Sequence, residues 1–238
     1  LEGTTTQVDG LNQIKVRAEI GKPFTYPQPA VSGYDNVGVD PANGTIDRVA
    51  EQDNVINFYY LKSKGNVTYQ AVDADGNTPL ATKTETIANG GTVDKTTNKA
   101  NALFTIPYYT LTGVGTATAD TYNGKDDVTV TYTYTRNTHK LTVVKKDVDS
   151  DKEITGAAQE ITNVPAGKTY TFGAAEIAAV DGYTAVDALN PTSHMMGDAD
   201  ESITFWYRKN EANRYVTITV ESVCNDEVFQ SYSIPAFK

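Results

Sequence analysis

A mainly β (α+β) chain of tandem β-grasp-like repeats, with short or degenerate helices, is the fold class that the sequence predicts. Three observations carry that expectation. An alternating strand ending Ile56-Asn57-Phe58-Tyr59-Tyr60 returns as Val130-Thr131-Tyr132-Thr133-Tyr134 and as Ile203-Thr204-Phe205-Trp206-Tyr207, at intervals of about 74 residues. Gly33-Tyr34, Tyr108-Tyr109 and Gly182-Tyr183 keep the same beat, and so do the strand openings Val67-Thr68-Tyr69, Leu141-Thr142-Val143 and Val216-Thr217-Ile218. A repeat of this length exceeds the roughly 20–50 residues of a solenoid rung and suits a small domain. The expectation is therefore an elongated monomer, beads on a string, divided at 1–62, 66–136, 140–209 and 214–238, with the first copy shortened and the last segment the start of a fourth copy or a capping hairpin.

Each copy reads in the same order. An alternating strand such as Val67-Thr68-Tyr69-Gln70-Ala71-Val72 meets a turn cluster, Asp73-Ala74-Asp75-Gly76-Asn77, and turns apolar again at Leu80, which is a hairpin signature. In the next copy the turn is Asp147-Val148-Asp149-Ser150-Asp151 and Ile154 resumes the apolar pattern. A glycine corner follows, Gly90-Gly91 and then Gly167. After it the alanine-rich stretch 173–180 predicts one or two helical turns ended near Asp181-Gly182, with 95–102 a weaker helix in the second copy. Pro23, Pro27 and Pro29 forbid a regular helix in the first copy. The closing strand puts positions 56/58/60, 130/132/134 and 203/205/207 on the core face. Polar stretches, Ser63-Lys64-Gly65-Asn66, Asn137-Thr138-His139-Lys140 and Asn210-Glu211-Ala212-Asn213, read as short linkers that permit hinge motion. A hairpin, a short helix crossing a sheet and a last strand returning beside the first favour β-grasp over a Greek-key sandwich.

Composition narrows the function. Twenty Lys and Arg against thirty Asp and Glu give a net charge of −10, which argues against nucleic acid and anionic membrane surfaces as partners. Cys224 is the single cysteine, so neither an internal disulfide nor a cysteine-based zinc site can form. No leader sequence opens the chain and no apolar run approaches the roughly 18 residues of a membrane span, so any secretion signal or anchor is expected outside this stretch.

The opening Val67-x-Tyr69, the Asp73-x-Asp75-Gly76 turn with Leu80 after it, the corners Gly33-Tyr34 and Gly182-Tyr183, and the terminal Val128-x-Val130-x-Tyr132-x-Tyr134 together resemble the MucBP (mucin-binding protein) repeats of Gram-positive surface adhesins. The middle copy departs with Pro107-Tyr108-Tyr109, and the third with Asp151-Lys152 where Asp-Gly is the pattern. The resemblance implies a secreted, wall-attached, non-enzymatic bacterial protein whose repeats contact host mucin or glycoprotein glycans, or else serve as a structural stalk for a distal binding domain.

Candidate sites are few. Positions opposite the core face read Asn57-Tyr59-Leu61, Thr131-Thr133-Thr135 and Thr204-Trp206-Arg208, so Tyr59 and Trp206 occupy one slot that the middle copy fills with Thr133. Trp206, Tyr59 and Arg208 are the candidate glycan contacts, an aromatic face stacking on a sugar; the alternative is packing against the short helix or against a neighbouring unit. Asp73, Asp75 and Asn77, with Asp147, Asp149 and Asp151, place oxygens at alternate positions as a calcium loop does, yet position twelve from Asp147 is Ala158 instead of Glu. Plain turn chemistry and weak calcium binding both fit, and no other cofactor is expected. His139 and His194 lack partners at metal-ligand spacing, and no nucleophile elbow or phosphate loop is present. Lys145 or Lys146 could enter an isopeptide bond, but the closing strand of that copy has no Asn. The segment 215–237 is also a candidate for strand addition between molecules.

Overall fold

The computed structural model describes residues 13–210, 215–224 and 227–237. Along the chain run β1 (Phe24–Thr25), β2 (Tyr34–Asp40), β3 (Thr45–Ile46), β4 (Asn57–Lys62), β5 (Lys64–Asp73), β6 (Pro79–Ala88), α1 (Thr97–Leu103), β7 (Tyr109–Leu111), β8 (Thr116–Ala117) and β9 (Val128–Arg136). They are followed by β10 (Thr138–Asp147), β11 (Gln159–Pro165), β12 (Thr169–Thr171), β13 (Tyr183–Ala185), β14 (Ser193–Met195), β15 (Glu201–Lys209), β16 (Tyr215–Cys224) and β17 (Glu227–Phe237). The chain divides into two compact units, Leu1–Ile106 with Leu111–Thr135, and Pro107–Thr110 with Arg136–Lys238.

In the first unit the main sheet has the order β6-β5-β9, with β8 also on β9. Strands β5 and β6 form the antiparallel hairpin expected from the turn at Asp73, where Asn77 adopts φ 54° and donates its N–H to the Asp73 carbonyl at 2.9 Å. Strand β9 then lies parallel to β5, from Val67↔Val128 to Asp73↔Tyr134. Only a crossover can join parallel neighbours, and α1 lies within that crossover. The order of hairpin, crossover and returning strand is that of a β-grasp. Alternation sends Val67, Tyr69 and Ala71 and the facing Val128, Val130, Tyr132 and Tyr134 into the core. There Tyr69 and Tyr132 stack at 6.4 Å, and Phe104 meets Tyr132 edge-on. Burial pushes the Tyr132 hydroxyl up to about 12. Upstream, β2 pairs with β4 and β1 with β3, both antiparallel, and Tyr60 is buried with its hydroxyl on the Pro29 carbonyl at 2.8 Å.

The second unit repeats the plan. Its sheet order is β11-β10-β15-β13, and β10 runs parallel to β15 from Leu141↔Glu201 to Asp147↔Tyr207. Leu141, Val143, Phe205 and Tyr207 are buried with Val164, Phe172 and Met196, and Ile154 and Ile203 pack on that cluster. Each fully buried large side chain there contributes roughly 1.5–3 kcal/mol. Strands β12 and β14 form a small antiparallel ladder, and β16 and β17 a separate hairpin.

Two expectations are corrected. The stronger helix was expected at 173–180 and the weaker at 95–102, but the regular helix is α1, whereas the alanine-rich stretch forms a turn. Capping decides the difference. Thr96 accepts the Lys99 N–H at 3.2 Å, Asp94 holds the Thr96 N–H and hydroxyl, and Lys99 pairs with Glu85. In the alanine-rich turn the Glu176 carboxylate takes the Gly173 N–H at 2.7 Å, but the Ala178 carbonyl is drawn to Lys145 and Tyr207 side chains instead of extending a helical ladder.

The second correction concerns the linkers. Strand β4 ends at Lys62 and β5 begins at Lys64, and likewise β9 ends at Arg136 and β10 begins at Thr138. One residue therefore separates strands where a four-residue polar connector was expected. In the first unit that residue is fixed on both sides: Ser63 donates to the Gly33 carbonyl at 3.0 Å and accepts from the Asn89 N–H at 2.9 Å. Lys62 also donates to Gly124, and Asn89 to the Asp35 carboxylate. The fully buried Tyr122 lies over Gly65, where a Cβ would meet its ring at 2.2 Å, and its hydroxyl reaches the Lys64 carbonyl. Hinge motion at this joint is thereby opposed. In the second unit Asn137 repeats the pattern, donating to Tyr108 and accepting from Ala166. Tyr108 takes φ 67° where the other two copies have glycine at φ 81° and 75°. Of the third polar stretch, Asn210 donates to the Gly182 carbonyl, and residues 211–213 lie outside the described residues.

Gly65→Ala is expected to cost about 1–3 kcal/mol because the buried Tyr122 ring and hydroxyl occupy the space a Cβ needs. Urea unfolding measures it; a change within about 0.5 kcal/mol, the usual size for an unconstrained surface position, contradicts the packing at this joint.

Candidate functional site

The outer face of the β10–β15 sheet carries the most chemically varied surface among the sequence candidates. Because β10 and β15 run parallel in register, Lys146 stands opposite Trp206, and the Lys146 ammonium lies 5.8 Å from the centre of the indole. Trp206 is half-buried and Arg208, two residues along the same strand face, is exposed with its Nε 3.6 Å from the Asp149 carboxylate. Asn190 was not anticipated. Its amide donates to the Trp206 carbonyl at 3.2 Å and accepts the Trp206 N–H at 2.6 Å, closing the backbone at the point where the indole departs. No sequence signal marks Asn190, since it acts across 16 residues from an irregular segment.

Tyr59 belongs to the first unit. It stands opposite Gly38 of β2 and is half-buried, and a Cβ on Gly38 would lie 3.5 Å from its ring. The equivalent Thr133 of β9 lies against Gly113. Around it the outer face is a hydroxyl and amide surface: Gln70 bonds Thr131 at 2.7 Å, Thr112 bonds Thr135 at 2.9 Å, and Thr68 meets Thr84 at 3.4 Å. Trp206 and Arg208 thus share one face, while Tyr59 belongs to a different sheet.

The acidic turns are occupied by their own geometry. Asp73 accepts the Asp75 N–H, and Asp147 accepts the Asp149 N–H and the Ser150 hydroxyl. Asp151 pairs with Lys146 at 3.1 Å and takes φ 55°, as Asn77 does in the first hairpin. Among the described residues no group of three or more His, Cys, Asp or Glu side chains is arranged to hold a metal ion. His139 contacts Asp198 at 3.2 Å, and His194 contacts Glu201 at 2.5 Å. Beside His194, Met196 is fully buried and Met195 is exposed.

Two ionisable groups sit inside the second unit. Lys145, 4% exposed, occupies a core position of β10, donates to the Ala178 carbonyl at 3.2 Å and lies 5.6 Å from the Tyr207 ring. Burial holds its amine below the ordinary lysine value near 10.5. Glu176 experiences burial that would raise its pKa, but hydrogen bonds from Gly173 and from the Tyr170 hydroxyl prevail and hold it below the ordinary value.

The sequence pattern of the MucBP domain matches residues 3–61, 66–135 and 142–208. Internalin J of Listeria monocytogenes serovar 1/2a is 28% identical over 203 residues, which are 82% of this chain and 22% of that protein. The chain therefore spans about a fifth of the curated relative it matches. Among solved structures, the type 2 repeat of the mucus binding protein MUB from Lactobacillus reuteri is 15% identical, covering 61% of this chain and 99% of that one at a TM-score of 0.25. The Bacillus anthracis TIE protein is 12% identical, covering 84% and 49% at 0.36. At these scores the fold assignment stands on the sheet order above.

Lys145→Met is expected to raise stability at pH 7 by about 1–2 kcal/mol, since a desolvated ammonium is replaced by an apolar chain. With the folded pKa below the unfolded one, the unfolded chain binds the proton more readily, so the wild-type penalty lifts as pH rises toward 10.5. Urea unfolding across that range should show the gap between variant and wild type narrowing; a gap that is absent at pH 7, or constant with pH, contradicts the assignment.

Proposed function

The chain belongs to the MucBP domain family, and on that premise we propose that it is a stretch of a Gram-positive cell-surface adhesin whose repeats bind host mucin glycans multivalently. One observation carries the glycan reading: an indole on an outer sheet face, flanked by Lys146 and Arg208 and fixed at its backbone by Asn190. An indole face stacks on the apolar face of a sugar ring, and cationic and amide groups around it hydrogen-bond hydroxyls and carboxylates. A net charge of −10 opposes sialylated or sulfated glycans over the whole chain, and at Trp206 the two cations are each paired with a turn carboxylate, Lys146 with Asp151 and Arg208 with Asp149, so this face is locally neutral and suits neutral sugars. Tyr59 supplies the corresponding aromatic in the first copy. Thr133 supplies none in the second.

Weak single contacts gain strength from linkage, because one bound copy holds the next near its target. The proposed division into three copies, with β16–β17 as the start of a fourth or a capping hairpin, supplies that multiplicity. Among the described residues no helix is long and apolar enough to cross a membrane, and surface attachment is proposed through parts of the protein outside this stretch.

Retention on immobilised mucin tests the reading. Trp206→Ala and Arg208→Ala are each expected to weaken retention by about three- to tenfold, the range of one stacking or charge-assisted contact, with Tyr59→Ala weakening it less. Equal retention of wild type and Trp206→Ala removes this face from the account, and no retention of wild type at high concentration removes the glycan reading altogether.

A further inference from the structure

We infer that the second and third copies are tension-bearing links, each closed by a parallel strand pair that axial force loads in shear. The inference does not depend on glycan binding. When a chain is pulled along its length, force enters a copy at the start of its first strand and leaves at the end of its last. In the second copy those points are Lys64 of β5 and Arg136 of β9. The two strands are hydrogen-bonded neighbours running in the same direction. The loaded points therefore lie at opposite ends of one ladder, and tension slides β9 along β5. Every bond in the ladder is strained at once. In a pair pulled from the same end, the bonds break singly and in succession, each worth only about 1 kcal/mol net.

The ladder is built to resist sliding. Seven residue pairs stand in unbroken register from Val67↔Val128 to Asp73↔Tyr134, and the Ala74 N–H extends the pairing to the Tyr134 carbonyl at 2.8 Å. Side chains key the strands on both faces. Tyr69 stacks on Tyr132 inside, and Gln70 bonds Thr131 outside. At the entry end, the Asp127 carboxylate takes both the N–H and the side-chain amide of Asn66. The third copy has the same parts: seven pairs from Leu141↔Glu201 to Asp147↔Tyr207, Val148 donating to Tyr207 at 2.8 Å, and Asp200 holding the Lys140 N–H at 2.8 Å. The first copy differs. Its main pair, β2 with β4, is antiparallel, and among the described residues it has no parallel ladder. Load-bearing is thus a property of the second and third copies, suited to a protein that holds a surface against drag.

Single-molecule pulling on the full 238-residue chain tests this, with Cys224→Ser removing the native thiol and paired cysteines serving as handles. Lys62→Cys with Thr138→Cys loads β5 against β9 in shear. Lys62→Cys with Lys125→Cys pulls from one end of the same ladder, because the Lys62 N–H bonds Gly124. All three positions are exposed, and equal thermal midpoints of the two chains show that only the direction of force differs. The shear geometry is expected to rupture at a force at least about twofold higher, since forced opening follows the barrier along the pulled direction and not the equilibrium stability. Thr138→Cys with Asn210→Cys, against Thr138→Cys with Ala199→Cys, repeats the comparison on the third copy. Equal forces in the two geometries, or a lower force in shear, overturn the inference.

Discussion

The pairing of the first strand of a copy with its last is the constraint on which the rest of the structure depends. Because β5 and β9, and again β10 and β15, are parallel, no tight turn can join them, and the chain between must cross the sheet. That crossover carries the variable elements: α1 in one copy, an alanine-rich turn in the other. Both faces of the central strands follow from the same pairing. Residues in step across the ladder, Tyr69 with Val130 or Val143 with Ile203, turn inward together, and the residues between them form the outer face of the sheet.

Much of this was legible in sequence. Alternation alone placed Tyr132, Tyr134, Phe205 and Tyr207 in the core, and turn chemistry placed the hairpins at Asp73 and Asp147, where Asn77 and Asp151 take the positive φ that such turns require. What sequence misjudged was decided by groups far apart in the chain. Alanine density favoured a helix at 173–180, but the Ala178 carbonyl found Lys145 and Tyr207, side chains from the first and last strands. Polar composition read Ser63-Lys64-Gly65-Asn66 as a flexible connector. Tyr122 and Asp127, some sixty residues later, turned those residues into the start of a strand. Lys145 shows the same limit from the other side: its alternation places it in the core, yet nothing local announces how a buried amine is accommodated.

The candidate site was legible only as positions. Sequence marked Trp206, Arg208 and Tyr59 as lying opposite the core face, but Lys146 and Asn190 join Trp206 through register and an irregular segment that periodicity does not reach. A shared plan with changeable outer faces follows. The hydroxyl and amide rows around Thr131 and Thr133 and the indole with its two cations occupy corresponding places on sheets of one topology, so surface chemistry varies from copy to copy at little cost to the core. That separation suits an adhesin, in which the same module must hold together and present different contacts.

Native-state hydrogen exchange tests the central claim most directly. If the parallel pair is the last structure to yield in each copy, amides shared by β5 and β9, and by β10 and β15, exchange only through global unfolding, while those of β8, β12 and β14 exchange through smaller openings. Amides of the parallel ladders exchanging as readily as those of the short edge ladders would contradict it.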